Sequence, residues 1–338
     1  MIHQLRLRNF KGVVEGEAEL DKLTILVGPN NSGKTTILEA LFLAPNPFRK
    51  VPYRPSIAVE LVNELHKAGG YLFLLNKYGA KEAEIDCDGK KIMFTREPEK
   101  IEVSTNCKLQ QTLSGRVILL DTDYQPHKFV MGVLGFDATI KPETTELVLP
   151  EVLLLSTKLV DYAHEYMLDV WIDIANTGAT AAVAKDVSRY VHEDYVNITA
   201  EPYVKGRITF YVMRSDGVRI RLSDLGHGVQ LYIVNRLLYE HFRPEVVLWD
   251  DLEAHFNPRL LTHVSEWFAD LVEEGKQVIV STHSLEVVEK IIAFVEDATV
   301  LLTSLRDGKL KVRRVKPDEL EEWAKAGIDP RYAEVFLL

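Results

Sequence analysis

The chain has 338 residues, of which 46% are apolar and 27% charged, with a formal net charge of −10 and two cysteines. That length exceeds one small core, so a large α/β domain with an inserted lobe, or two domains, is expected, and the acidity excludes a surface uniformly built for nucleic acid while allowing a local basic patch. No apolar run approaches the roughly 18 residues of a membrane span, the N-terminus lacks a signal peptide's apolar core, and Cys87 and Cys107 have no metal-ligand spacing; a cytoplasmic protein with idle thiols and no membrane partner is expected.

In chain order, Leu5 and Leu7 alternate with Arg6 and Arg8, the period of a half-buried strand, and Gly12 and Gly16 are expected to break it. The apolar run from Leu23 to Val27 then feeds Gly28-Pro29-Asn30-Asn31-Ser32-Gly33-Lys34-Thr35-Thr36, followed by a helical run from Ile37 to Leu43. This is a complete Walker A loop in its strand and helix context. Glycines let successive backbone N–H groups turn toward phosphate oxygens, and the helix directs its positive end at the same anion. Lys34 is expected to reach the β- and γ-phosphates and Thr35 to ligate Mg²⁺. Pro45, Pro47, Pro52 and Pro55 end regular structure and suggest a boundary near residue 45. Residues 56 to 68 read as a helix, and 83 to 103 as short strands with a hairpin turning at Asp88-Gly89. Residues 117 to 120 suggest another buried strand. Residues 151 to 175 carry Leu153, Leu154, Val160, Met167, Leu168 and Trp171 at helical intervals, and 179 to 194 form a second expected helix. Residues 208 to 213 and 218 to 222 read as a hairpin.

The second half carries matching chemistry. Residues 246 to 251, Val-Val-Leu-Trp-Asp-Asp, form an apolar strand ending in two carboxylates, a Walker B pattern. Asp250 is expected to hold Mg²⁺ through its water shell, and Asp251 to polarise an attacking water. Residues 278 to 284 are another apolar strand, ending in Ser281-Thr282-His283-Ser284, which puts His283 where ligands bind in open α/β sheets. Between them, Leu222-Ser223-Asp224-Leu225-Gly226-His227-Gly228-Val229-Gln230 precedes a helical run, with Gly226 and Gly228 exposing amides at its start.

The order of Walker A, a stretched Leu-Ser and Gly-x-Gly-x-Gln signature, Walker B with its tail Glu253-Ala254-His255-Phe256-Asn257-Pro258, and Ser-Thr-His-Ser resembles the ABC-type ATPases of the SMC, RecF and OLD group. Leu7-Arg8-Asn9-Phe10-Lys11 is similar to that group's opening strand. The resemblance implies an α/β P-loop ABC-ATPase-type head with an antiparallel β subdomain and an inserted helical lobe. Residues 1–45 and 205–338 would form the head, 46–125 a linker and the β-rich part, and 126–204 the lobe. It implies ATP and Mg²⁺ as cofactors and an ATP-dependent homodimer in which two heads sandwich two nucleotides. Lys34, Thr35, Asp250 and His283 would then act in cis, and either Ser223 or His227, with Gly226 and Gly228, in trans. A Mg²⁺-sensing glutamine is expected, with Gln125 chosen and Gln110 and Gln111 competing. Where the group has Asp-Glu this chain has Asp250-Asp251, so the base is one methylene shorter; hydrolysis would be slow, or Glu253 would contribute.

Fewer than about 190 residues separate Walker A from the signature, without sustained heptads, which argues against a tethering SMC. About 55 residues follow His283, too few for an OLD-type nuclease domain. The remaining reading is a stand-alone ATP hydrolase head serving DNA repair, maintenance or defence, with DNA or a separately encoded nuclease as partner. Arg306, Lys309, Lys311, Arg313, Arg314 and Lys316 on a hairpin offer one polyanion surface. The alternatives are a nucleotide-gated binding module with negligible turnover and an ABC transporter subunit.

Overall fold

The computed structural model describes residues 1–68, 70–98, 100–106, 127–132 and 149–329. Strands β1 (Gln4–Phe10), β2 (Val13–Glu19) and β3 (Leu23–Val27) lead to helix α1 (Lys34–Leu43), then α2 (Ala58–His66) and strands β4 (Glu82–Cys87), β5 (Lys90–Arg96), β6 (Lys100–Thr105) and β7 (His127–Gly132). Next come β8 (Val152–Ser156), α3 (Val160–Asp169), α4 (Trp171–Asn176), α5 (Ala179–Val191), β9 (Tyr195–Pro202), β10 (Ile208–Arg214) and β11 (Arg219–Arg221). The chain continues through α6 (His227–Phe242), β12 (Val246–Asp250), α7 (Pro258–Glu273), β13 (Gln277–Thr282), α8 (Leu285–Phe294), β14 (Thr299–Arg306), β15 (Lys309–Val315) and α9 (Pro317–Lys325).

Among the described residues, twelve strands form one sheet in the order β7-β6-β5-β4-β1-β2-β15-β14-β3-β13-β12-β8, and β11-β10-β9 form a second. The run β14-β3-β13-β12-β8 is parallel. Strands β3, β8, β12 and β13 are buried along their whole length, with apolar centres and polar groups mainly toward their ends, because both of their faces are covered. From β7 to β2 the sheet is antiparallel, and β1 shows the expected alternation, with Leu5 and Leu7 buried and Arg6 and Arg8 exposed. Helix α1 is buried nearly all round, with Ile37, Leu38, Ala40, Leu41, Phe42 and Leu43 at 0% exposure. Each large apolar side chain so placed stabilises the fold by about 1.5–3 kcal/mol.

Three expectations are corrected. The helix expected from residue 151 is at first a strand: Val152 to Ser156 pairs in parallel with β12, and helix begins only at Val160. A continuous apolar run satisfies either period, and here the sheet supplied the partner. The segment from residue 46, expected to be linker, is core, with Phe48, Arg49, Val51 and Tyr53 at 3% exposure or less. Its polar groups complete β8: Arg49 Nη2 donates to the Val152 carbonyl at 3.0 Å, and the Tyr53 hydroxyl donates to the Leu154 carbonyl. Gly16 breaks nothing and lies within β2, where a Cβ would stand 2.5 Å from Leu310 Cβ.

Beyond β8, helices α3 and α5 pack on α6. Helix α2, the hairpin at Asp88-Gly89, helix α5 and the β10–β11 hairpin stand where the sequence puts them. Cys87 is buried, which pushes its thiol well above the ordinary range. Cys107 and the strand expected at 117 to 120 lie outside the described residues.

Tyr53→Phe is expected to destabilise the protein by about 1–3 kcal/mol, because the buried Leu154 carbonyl loses its donor. Urea unfolding of the two proteins checks this, and equal midpoints would contradict it.

Candidate nucleotide site

The loop from Val27 to Lys34 is shaped by its two glycines. A Cβ on Gly28 would stand 2.6 Å from the Thr303 carbonyl of β14, so the loop's approach to that strand leaves room only for hydrogen. Gly33 precedes α1 with φ of 95°, and Asn31 is also left-handed at 63°. Ser32 is buried against Thr303, Oγ to Oγ1 2.8 Å, while Asn30 and Asn31 are exposed at the rim and Thr36 is half-buried in the first helical turn. The loop and the N-terminus of α1 form an anion cradle.

Lys34 Nζ folds back to donate to the carbonyls of Gly28 at 2.8 Å and Pro29 at 2.9 Å. Burial lowers its pKa to about 8, against the opposing pull of Asp251, Asp250 and Glu253. The Thr35 hydroxyl donates to Asp250 at 3.2 Å and 3.1 Å to its two oxygens. Ser281 Oγ donates to Asp250 Oδ1 at 2.6 Å and accepts from the Asp251 backbone amide at 2.9 Å. Burial holds the Asp250 carboxyl above its ordinary pKa; the Asp251 charge adds to this, and the Ser281 and Thr35 hydroxyls oppose it.

Asp251 stands in the left-handed region at φ 53°, with Oδ1 3.5 Å from His283 Nε2. The other ring nitrogen, Nδ1, is 3.0 Å from the Gly28 carbonyl and 3.3 Å from Lys34 Nζ. Glu253 accepts from the Thr282 hydroxyl and the His283 amide. The hard oxygens of Thr35 and Asp250 suit Mg²⁺, which takes few protein ligands and completes its shell with water and phosphate. Among the described residues, no group of three or more His, Cys, Asp or Glu could hold a metal ion.

The signature segment lies elsewhere on the surface. Ser223 and Asp224 form a short 3-10 turn, Gly226 caps α6, and Gln230 Nε2 donates to the Leu225 carbonyl at 2.6 Å. At Gly228 a Cβ would lie 2.5 Å from the His255 carbonyl, so the close approach leaves room only for hydrogen. The His227 and His255 rings are 5.5 Å apart, so the helix start rests on the Walker B tail. Gln125, with its competitors Gln110 and Gln111, lies outside the described residues.

Residues 1–114 match the family model of the AAA ATPase domain, and residues 152–289 match the AAA domain model that carries the AbiEii toxin, type IV TA system description. No curated protein sequence matches. Among solved structures, the Smc head domain of Pyrococcus furiosus, with an extended coiled coil and bound to the C-terminal domain of ScpA, is similar at a TM-score of 0.50 and 13% identity over 96% of this chain and 98% of that one. An SmcHead bound to the C-winged helix domain of ScpA gives a TM-score of 0.50 at 16% identity over 95% and 99%. The chain has the P-loop ATPase fold of Smc head domains. In this head the longest helix among the described residues between the phosphate loop and the signature is α5, at 13 residues.

Two contributors escaped sequence reading. Ser281 was visible only as part of a strand end, and Thr303 carried no motif at all. A second polar cluster adjoins α1: Glu39, 3% exposed, pairs with Lys11 and with His66 Nε2 at 2.7 Å. Burial alone would raise the Glu39 pKa, but its bonds to His66 and Lys11 outweigh that and hold it below the usual value. Lys11 and His66 also line a cavity of about 820 Å³, with Gly12, Phe73, Tyr78 and Asp307.

Because the folded Lys34 pKa lies below its unfolded value, the fold disfavours the charged amine. That cost is complete below about pH 8 and fades as pH rises from about 8 toward 10.5. Lys34→Met is therefore expected to stabilise the nucleotide-free protein at pH 7 and to lose that advantage by pH 10. Denaturant titrations at the two pH values check this, and a gain independent of pH would refute it.

Proposed function

We propose that the protein binds and hydrolyses ATP with Mg²⁺, dimerises around two nucleotides, and uses closure and reopening to gate a DNA- or partner-related process. What carries the reading is the meeting of Lys34, Thr35, Asp250, Asp251 and His283 at the C-terminal ends of three adjacent parallel strands. Lys34 exchanges its loop carbonyls for phosphate oxygens. Thr35 and Asp250 hold Mg²⁺, which supplies charge stabilisation for phosphoryl transfer. Asp251 orients and deprotonates the attacking water, and His283 faces the γ-phosphate.

The nucleoside half belongs in the 820 Å³ cavity, because Gly12 on its wall and Gly33 of the loop flank the same Leu305 side chain. ATP binding then shifts the head toward a closed dimer to the extent that it makes contacts present only there. Ser223 or His227, with Gly226, supplies them from the second head.

The relatives' contexts frame the partner. Smc heads bound to ScpA and the toxin-system description of the second family model point to an effector protein or a defence role. Of the basic hairpin, Lys309 pairs with Glu15, Arg313 with Glu319 and Arg314 with Asp21, so DNA is not assigned to it. A second reading, a nucleotide-gated binding module with slight turnover, is favoured by the short reach of Asp251. No helix among the described residues is long and apolar enough to cross a membrane.

Light-scattering mass with Mg²⁺ and ATP, in the Asp251→Asn variant, is expected to double relative to the nucleotide-free protein. An unchanged mass would remove the trans role of the signature. Lys34→Ala is expected to weaken ATP binding roughly 10- to 100-fold, the value of a charge-assisted bond. Asp251→Ala should slow single-turnover hydrolysis by about 10²–10⁴-fold with ATP still bound, whereas unchanged phosphate release would take the base role from Asp251.

A further inference from the structure

Both oxygens of the Glu253 carboxylate are engaged inside the protein. Oε2 accepts from Thr282 Oγ1 at 2.7 Å, and Oε1 from the His283 backbone amide at 2.6 Å. Thr282 Oγ1 in turn accepts from the Ser284 amide at 2.9 Å, and Ser284 caps α8 by accepting from Val287 N. One carboxylate from the Walker B tail thus fixes the whole bend between β13 and α8. His283 sits in that bend, with Nδ1 3.0 Å from the Gly28 carbonyl and Nε2 3.5 Å from Asp251 Oδ1. The Gly28 carbonyl and the Asp251 carboxylate only accept, while Lys34 Nζ, 3.3 Å from Nδ1, only donates, so the ring's proton placement follows from which of these contacts the bend lets it keep.

We infer that Glu253 is a positioning residue which aims the His283 ring between the phosphate loop and Asp251, and that it is not an alternative base. Two donors at short range orient its lone pairs along the bend. Thr282 is fully buried, so withdrawing the carboxylate leaves its hydroxyl without that acceptor and frees the bend to shift. Displacing a reacting group by about 1 Å can cost on the order of 10²-fold in rate. The rate effect rests on the ATPase reading above; the aim of the ring does not.

The test therefore has two readouts. In the nucleotide-free protein, nitrogen-detected NMR of His283 should show one ring environment in wild type and a changed tautomer balance in both Glu253→Gln and Thr282→Val. An unchanged ring in both variants would overturn the inference, whether or not the protein turns over ATP. In single-turnover hydrolysis, Glu253→Gln should fall about 10- to 100-fold, and Glu253→Gln combined with His283→Ala should be no slower than His283→Ala alone. Additive losses would overturn it, as would abolished hydrolysis with an undisturbed ring, which marks a base. If Glu253→Gln does not fold, Thr282→Val carries both readouts, since it removes one donor and keeps the side-chain shape.

Discussion

The register of three parallel strands is the constraint from which the site follows. Thr282 of β13 lies opposite Val27 of β3, and Val280 lies opposite Trp249 of β12. The strands are buried on both faces, so a shift by one residue would exchange the side chains packed against the two covering layers and misfit both. The polar groups that follow each strand are thereby set side by side: the phosphate loop after Val27, the carboxylates at Asp250 and Asp251, and the histidine at 283. The core does the aligning, and hydroxyls make the fine adjustment. Ser281, at 0% exposure, touches the side chain of one Walker B acid and the backbone of the next.

Charge is taken out of water at several points, and each group finds a different compensation. Glu39 is held between Lys11 and His66. Arg49 is buried with carbonyls as acceptors, and burial pushes its pKa down to about 9. Lys34 and Asp250 are met only in part, by carbonyls and hydroxyls, and their pKa values move toward neutrality. Lys34 and Asp250 stand where a charged ligand and a divalent ion would complete the balance, while Glu39 is settled within the fold by its two cationic neighbours.

Much of this could be read from the chain because phosphate binding demands local residue types. The Gly-rich loop, the strand ending in Asp250 and Asp251, and the strand ending in His283 are each contiguous, and their flanks have the right period. What was illegible depended on contacts distant in sequence. Val152 to Ser156 read as a helix face until β12 gave it a partner, and Gly16 read as a break until Leu310 accounted for it. The prolines after residue 45 suggested a linker because their effect on backbone is local, whereas the burial of Phe48 and Tyr53 is not. Glu253 resembled a spare acid in sequence; only the fold brings Thr282 and the His283 amide to its two oxygens.

Arg49 and Tyr53 have a consequence beyond the strand that they complete. Among the described residues, strand β8 ends the parallel side of the large sheet, where an unpaired ladder would accept another chain's strand. Its Val152 and Leu154 carbonyls are already occupied by buried side chains from the same chain. A strand added along this margin would have to displace both side chains. The residues that fill the core after Pro45 thus also guard an edge of the sheet, one segment serving both tasks.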